Sequence, residues 1–201
     1  MFILYFGVKS IPIRSNNLIS PLSAQDDFEV VNREEWGARS PNETTTLTPP
    51  QPLVIIHHTN WNSCWTLEQC KSEVRKVQDF HMDVRNWWDI GYNFLVGEDG
   101  RAYEGRGWTT EGAHAEGYNN CSIGISVMGT FEDAAPNITA LHTLQKIITF
   151  GVTEGFIDLN YTLYGHRQTG PTDCPGQTFY NILQNGSHWK ENPNHNATNV
   201  Y

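Results

Sequence analysis

The chain has 201 residues, enough for one domain with a sizeable core, and 12% aromatic content with seven Trp argues against a disordered chain. Thirteen Lys and Arg against 22 Asp and Glu leave a formal charge of −9, so the long-range field repels nucleic acid and anionic membrane. No apolar run reaches the roughly 18 to 20 residues of a transmembrane helix, which excludes an obvious membrane span.

Phe2 to Val8 is a short apolar run and Ser23-Ala24 a candidate cleavage point, but no basic residue precedes the run. Residues 1–27 therefore read as a leader or linker with a weak signal peptide, residues 28–185 as the folded domain, and 186–201 as a polar, poorly ordered tail beginning at Asn185. Six Asn-x-Ser/Thr sequons, at Asn42, Asn120, Asn137, Asn160, Asn185 and Asn196, lean toward a secreted, extracellular glycoprotein.

Val30-Val31 predicts an edge strand, and the segment around Trp36 to Arg39 reads as irregular, running into a Thr/Pro-rich loop from Thr44 to Pro52. Leu53 to His57 is a continuous apolar run ending in two histidines, the pattern of a strand buried on both faces. Successive side chains of a strand face opposite ways, so only one of His57 and His58 can reach a given pocket. Thr66 to Gln69 reads as a capping box, and Leu67, Cys70, Val74, Val77 and Val84 keep helical spacing to about residue 85. Cys64 and Cys70 bracket that helix start, close enough for a disulfide in an oxidising compartment or a reduced pair in a cytosolic one.

Ile90 to Gly97 and Ala102 to Glu104 around Glu98-Asp99-Gly100 predict a β-hairpin. Gly105 to Tyr118 is a long Gly-rich loop, and Ser122 to Met128 a further apolar strand with Cys121 at its head as a buried thiol. A helix is expected from Thr139 to Val152, a strand from Tyr161 to Tyr164, and a short helix from Gln177 to Leu183. Strands alternating with helices make this an α/β domain.

The stretch Tyr164 to Gly176 sets His166 and Cys174 eight residues apart across a Gly/Pro turn. Imidazole and thiolate are both good zinc ligands, but two ligands do not make a site, and the pair alone reads as readily as a surface histidine and a buried thiol. Tyr92, taken alone, reads as a half-buried strand tyrosine.

Taken in order, the motifs His57-His58-Thr59, the Cys64/Cys70 pair, Gln78 to His81, Asp89 to Phe94, Glu104 to Trp108, Gly112 to His114, Ser122 to Ile125, and Gly165 to Arg167 with Cys174 to Gly176 resemble the peptidoglycan recognition protein family, which shares its domain with type 2 N-acetylmuramoyl-L-alanine amidases. The resemblance spans about Val31 to Leu183 and implies that family's fold, a single α/β domain with a central mixed β-sheet flanked by α-helices. It implies zinc (Zn2+) held by His57, His166 and Cys174, Tyr92 assisting beside the metal, and Thr172, where some phage members carry lysine, giving a supporting hydrogen bond. It further implies cleavage of the lactyl-amide between N-acetylmuramic acid and L-alanine, with bacterial peptidoglycan and muropeptides as partners. Arg106, Gly107, Trp108 and His114 are expected to wall the substrate groove, and Gly107-Trp108 resembles the pair that goes with diaminopimelate-type peptides. His58 and His81 are expected to be structural. Family members that only bind and signal typically lack the ligand cysteine, so Cys174 favours the enzyme over a binding-only receptor. A purely structural zinc module would close four positions with protein ligands, and no fourth stands out.

Overall fold

The computed structural model describes residues 29–191 and 193; the leader expected over residues 1–27 lies outside them. The fold is organised by β2 (Gln51–His58), which pairs in parallel with β5 (Ser122–Val127) on one side and β6 (Ile157–Gly165) on the other. A strand in that place is covered on both faces, which is why its sequence is a continuous apolar run without alternation. β3 (Phe94–Val96) lies parallel to β5, β4 (Ala102–Glu104) returns antiparallel to β3, and β1 (Val30–Val31) adds a parallel edge to β4. The six-stranded mixed sheet thus runs β1-β4-β3-β5-β2-β6. The hairpin is shorter than its sequence suggests, because residues 90–93 do not pair with β4: Gly91 N–H donates to His81 Nδ1 (2.9 Å) at the end of the long helix and Asn93 N–H to the Gly124 carbonyl of β5 (2.9 Å).

One face of the sheet carries Val54, Ile56, Phe94, Val96, Ile123, Ile125 and Val127, packed under α3 (Ile138–Thr153) and α4 (Gln177–Leu183). Asn137 caps α3, its Oδ1 accepting from the Ala140 N–H at 2.7 Å. The other face packs Leu95, Tyr103 and Met128 against α1 (Arg33–Trp36) and α2 (Leu67–Asp79). The segment expected to be irregular therefore contains one helical turn; four residues are too few to show periodicity, and Asn32 and Glu35 secure it by a reciprocal capping box. Trp36 from this turn is fully buried and donates its indole N–H to the Glu104 carbonyl at 2.8 Å.

Thr66 caps α2 as expected, accepting from the Gln69 N–H, but the Gln69 side chain reaches the Trp65 N–H (3.1 Å) rather than closing the box on Thr66. Cys64 and Cys70 form a disulfide, with Cα atoms 5.0 Å apart, that ties the preceding loop to the first turn. The helix continues to about residue 85, yet its last stretch, Phe80–Val84, is π-wound. A wider turn of this kind redirects side chains, and here it leaves His81 buried. Cys121 is free and half-buried in a 3-10 turn just before β5, not inside the strand.

The expectation of a disordered tail from Asn185 is corrected for residues 185–191. The His188 carbonyl accepts from the Leu163 N–H (2.9 Å), the His188 ring stacks on Tyr161 at 4.0 Å, and Gln168 Nε2 donates to the Lys190 and Glu191 carbonyls. A polar composition concealed this because the docking uses backbone carbonyls, the His188 ring and the single Trp189 packed on the core rather than an apolar run. No helix among the described residues is long and apolar enough to cross a membrane.

The loop after β4 is fastened by one buried amide. Asn93 Nδ2 donates to the carbonyls of Gly107 (2.8 Å) and Thr110 (2.9 Å), while Oδ1 accepts from the Gly124 N–H (2.9 Å). Removing it orphans three backbone groups, two of them buried and that of Thr110 half-buried, so Asn93→Ala should lower the unfolding free energy by about 3 kcal/mol or more in urea titration. A loss under about 1 kcal/mol would show that water replaces the amide.

Candidate active site

In open α/β sheets the carboxyl ends of parallel strands are where loops leave a crevice. β2 ends at His58, and β6 ends at Gly165, one residue before His166. With Val54 and Ile56 committed to the α3 face, alternation sends His57 to the α2 face, where its ring lies 4.4 Å from that of His166. His58 turns back toward Phe131, whose N–H approaches His58 Nδ1 at 3.4 Å, so the structural role expected for it holds.

Cys174 reaches the same place on a loop tied to His166 by its neighbours. The Arg167 N–H donates to the Cys174 carbonyl (2.8 Å), and the Cys174 N–H donates to Thr172 Oγ1 (3.2 Å). Cys174 Sγ accepts from the His58 N–H at 3.3 Å and lies 3.8 Å from His57 Nδ1. One donor atom from each of His57, His166 and Cys174 falls within 4.8 Å of the others. A tetrahedral zinc with ligand bonds of about 2.0–2.1 Å to nitrogen and 2.3 Å to sulfur separates those donors by about 3.6 Å, so the His57–Cys174 spacing fits the ion.

Burial sets the protonation of the group. Desolvation lowers His57 well below its usual range, with the His166 and His114 rings adding to the effect, and brings His166 to about 4. These imidazoles are neutral at physiological pH, as metal ligation requires. Burial also pushes the Cys174 thiol up to about 12, so it keeps its proton until a cation takes the sulfur. Tyr92, whose ring lies 5.2 Å from that of His57, has its hydroxyl pKa raised by burial and stays a donor.

Residues 47–177 match the family described as N-acetylmuramoyl-L-alanine amidase. The chain is 42% identical over 161 residues to peptidoglycan-recognition protein SC2 of Drosophila simulans, covering 80% of this chain and 88% of that protein. The chain belongs to the peptidoglycan-recognition protein family. The ectodomain complex of peptidoglycan recognition proteins LCa and LCx, solved with tracheal cytotoxin, aligns at TM-score 0.80 and 44% identity over 81% of this chain and 99% of that one. Peptidoglycan recognition protein LE, solved in complex with tracheal cytotoxin as monomeric diaminopimelic acid-type peptidoglycan, aligns at TM-score 0.79 and 40% identity over 80% of this chain and 95% of that one.

A cleft of about 360 Å³ opens over the His57, Tyr92 and His166 group, walled also by Trp61, His81, Arg85, Trp87 and His114. A second hollow of about 220 Å³, lined by Asn86, Trp87, Trp88, Arg106 and Glu111, shares Trp87 and Ala113 with it. Arg106 is therefore on the groove, its Nε donating to the Ile90 carbonyl and Nη1 to the Glu111 carbonyl, both at 2.7 Å. No carboxylate pairs with it among the described residues, and burial lowers its pKa.

Two of the expected groove residues lie elsewhere. Trp108 crosses to the α3 face, 4.4 Å from the Phe94 ring and stacked on Phe156 at 5.1 Å, with Gly151 of α3 giving it room. Gly107 is buried at φ 70, a conformation open to glycine, with its N–H on the Asn93 carbonyl (3.1 Å). Gly107-Trp108 therefore anchors the loop, Gly107 on the Asn93 carbonyl and Trp108 on the Phe94 and Phe156 rings. Thr172 positions Cys174 by the hydrogen bond already described and is not among the cleft-lining residues. His114 lies on the cleft wall but is 7% exposed and spends its Nδ1 on His57 Nε2 at 3.0 Å.

Sequence reasoning had set His81 aside and missed Trp61, Arg85, Asn86 and Trp87 as wall residues. The helical repeat does not register the π turn that buries His81 beside the cleft.

Burial brings His58, His81 and His166 to about 4 and His114 to about 3, against 6.5 for a free imidazole. The unfolded chain thus binds more protons between about 6.5 and 4, and the stability these neutral rings lend, complete above pH 6.5, is lost as pH falls through that window. In chelator, the melting temperature should drop steadily from pH 7 to pH 4.5. A flat profile would mean the rings protonate within the fold.

Proposed function

We propose that the protein is a secreted, zinc-dependent N-acetylmuramoyl-L-alanine amidase that hydrolyses the lactyl-amide between N-acetylmuramic acid and L-alanine in wall fragments. The observation that carries the reading is the complete His57, His166 and Cys174 donor set with Tyr92 beside it in an open cleft. Three protein ligands leave a fourth position free, as in catalytic rather than structural zinc sites. When bound, zinc would supply a Lewis acid that polarises a carbonyl and brings the pKa of water to about 7.

The chain's own groups carry the remaining tasks. His57 and His166 offer lone pairs and Cys174 its sulfur; since that thiol is protonated in the metal-free chain, metal uptake releases a proton and strengthens as pH rises. Tyr92, protonated at neutral pH, serves as the hydrogen-bond donor to the amide oxygen as negative charge develops there. Water adds across the amide, leaving the lactyl carboxylic acid and the free amine of L-alanine. Trp61 and Trp87 offer aromatic faces along the cleft, and Arg106 supplies a desolvated cation for a peptide carboxylate. Diaminopimelate differs from lysine by one further carboxylate, so Arg106 favours diaminopimelate-type muropeptides. The disulfide and the sequons suit an extracellular protein that clears or reports bacterial fragments.

Cys174→Ser should lose zinc by elemental analysis and lose muropeptide cleavage by mass spectrometry, while the folded variant still pulls down on insoluble peptidoglycan. Undiminished cleavage by the folded variant would remove Cys174 from the catalytic ligands, and wild type that binds without cleaving would sink the enzyme reading and leave a receptor.

Arg106→Leu tests the specificity reading. A hydrogen-bonded charge contributes about 1.5–3 kcal/mol, so affinity for diaminopimelate-type fragments should fall about 10- to 100-fold by calorimetry, with lysine-type fragments little changed. An equal loss on both would assign Arg106 to loop structure.

A further inference from the structure

We infer that His114 is a positioning residue: a hydrogen-bond chain from the Tyr118 carbonyl through Ser122 and His114 holds the proton of His57 on Nε2 and leaves His57 Nδ1 bare. The inference depends on the zinc reading only for the use to which Nδ1 is put.

The direction of the chain follows from its far end. A carbonyl can only accept, so the Ser122 hydroxyl, 2.6 Å from the Tyr118 oxygen, spends its single proton there. Toward His114 Nε2, at a long 3.4 Å, Ser122 Oγ offers only lone pairs, and the proton of a neutral His114 belongs on Nε2. His114 Nδ1 is then an acceptor, and its 3.0 Å contact with His57 Nε2 requires the hydrogen to come from His57. A neutral His57 with Nε2–H has a free lone pair on Nδ1, the nitrogen 3.8 Å from Cys174 Sγ. The opposite arrangement sets two lone pairs face to face at Ser122 and aims an N–H from His57 into the ligand group, where it would exclude a cation.

The ring of His114 is held in place for this task. A Cβ on Gly124 would lie 2.3 Å from its Cδ2 and one on Gly112 at 2.4 Å, so the imidazole is wedged between two backbones that carry no side chain. The His114 and Ala115 backbone N–H groups both donate to Asn119 Oδ1 at 2.9 Å, which fixes the loop presenting the ring. His114 is 7% and His57 1% exposed, so bulk water does not compete for either nitrogen.

Two-bond proton–nitrogen spectra of histidine-labelled protein in chelator read the tautomer without any metal. Wild type should show His57 protonated on Nε2. In His114→Leu, which keeps the volume and removes the acceptor, the His57 signals should move toward a tautomer mixture, and zinc affinity by chelator competition should fall about 10- to 100-fold. His114→Asn, with a carbonyl oxygen near the place of Nδ1, should recover most of that loss, which a packing role would not predict. Ser122→Ala removes only the far end and keeps the question answerable if His114→Leu does not fold; it too should mix the His57 tautomers. A wild-type proton on His57 Nδ1 overturns the inference, as do unchanged His57 signals in the folded variants. Wild type with the Nε2–H tautomer but no zinc uptake upholds the relay and sinks the metal reading instead.

Discussion

The parallel pairing of β2 with β6 is the constraint from which the rest of the site follows. It aligns Ile56 with Gly165 in register, so the residues that follow them, His57 near the end of β2 and His166 just past β6, lie at the same end of the sheet. Their rings come within 4.4 Å although 109 positions separate them in the chain. β5 on the other side of β2 completes the support, setting Ser126 opposite His57 and Gly124 beneath the His114 ring. The two histidines are thus placed by strand ends held by main-chain ladders, whereas Cys174 depends on a loop. That loop is short and doubly fastened, by the Arg167–Cys174 backbone bond and by Thr172.

The groove walls rest on a second, polar support. Asp89 is 4% exposed and accepts from Gln78 Nε2 (2.6 Å), the Ile90 N–H (2.7 Å) and Arg33, with which it forms an ion pair at 2.9 Å. Gln78 in turn exchanges two hydrogen bonds with the Arg39 backbone. This network ties α1, α2 and the segment 86–91 together, and a buried carboxylate with every partner in place specifies one arrangement where an apolar contact would tolerate several. Breaking one partner of such a pair typically costs about 3–5 kcal/mol, so the walls bearing Asn86, Trp87 and Trp88 are anchored from behind while their outer faces stay open.

A net charge of −9 on a protein whose proposed ligand is itself anionic is less contradictory than it looks. Exposed charges are screened beyond about 8–10 Å at physiological salt, whereas a half-buried guanidinium acts at contact distance in a poorly solvated hollow. Arg106 satisfies part of its fork on two backbone carbonyls, which orient it without neutralising it. Local desolvation, not the overall field, therefore decides which sign of charge the groove accepts.

Much of this was legible in the residues. The apolar run before His57-His58, the caps at Thr66 and the spacing in α3 specify elements by local physics, and the order of the motifs identified the family, the fold and the three donor residues. The strand alternation also dictated that one of the adjacent histidines must turn away. Where Trp108, Gly107 and His114 point depended on packing across the sheet. Trp108 looked like a groove aromatic because loop sequence does not say which face of the sheet a side chain will cover; the space beside Gly151 and the stack on Phe156 decide it. His81 was hidden by a π turn that a 3.6-residue repeat cannot reveal, and the docking of residues 185–191 by backbone bonds that leave no pattern of composition. Local propensity and motif order are properties of neighbouring residues, which a sequence records directly. The facing of a loop side chain and the proton on an imidazole nitrogen are set by partners distant in the chain, and only the tertiary structure brings those partners together.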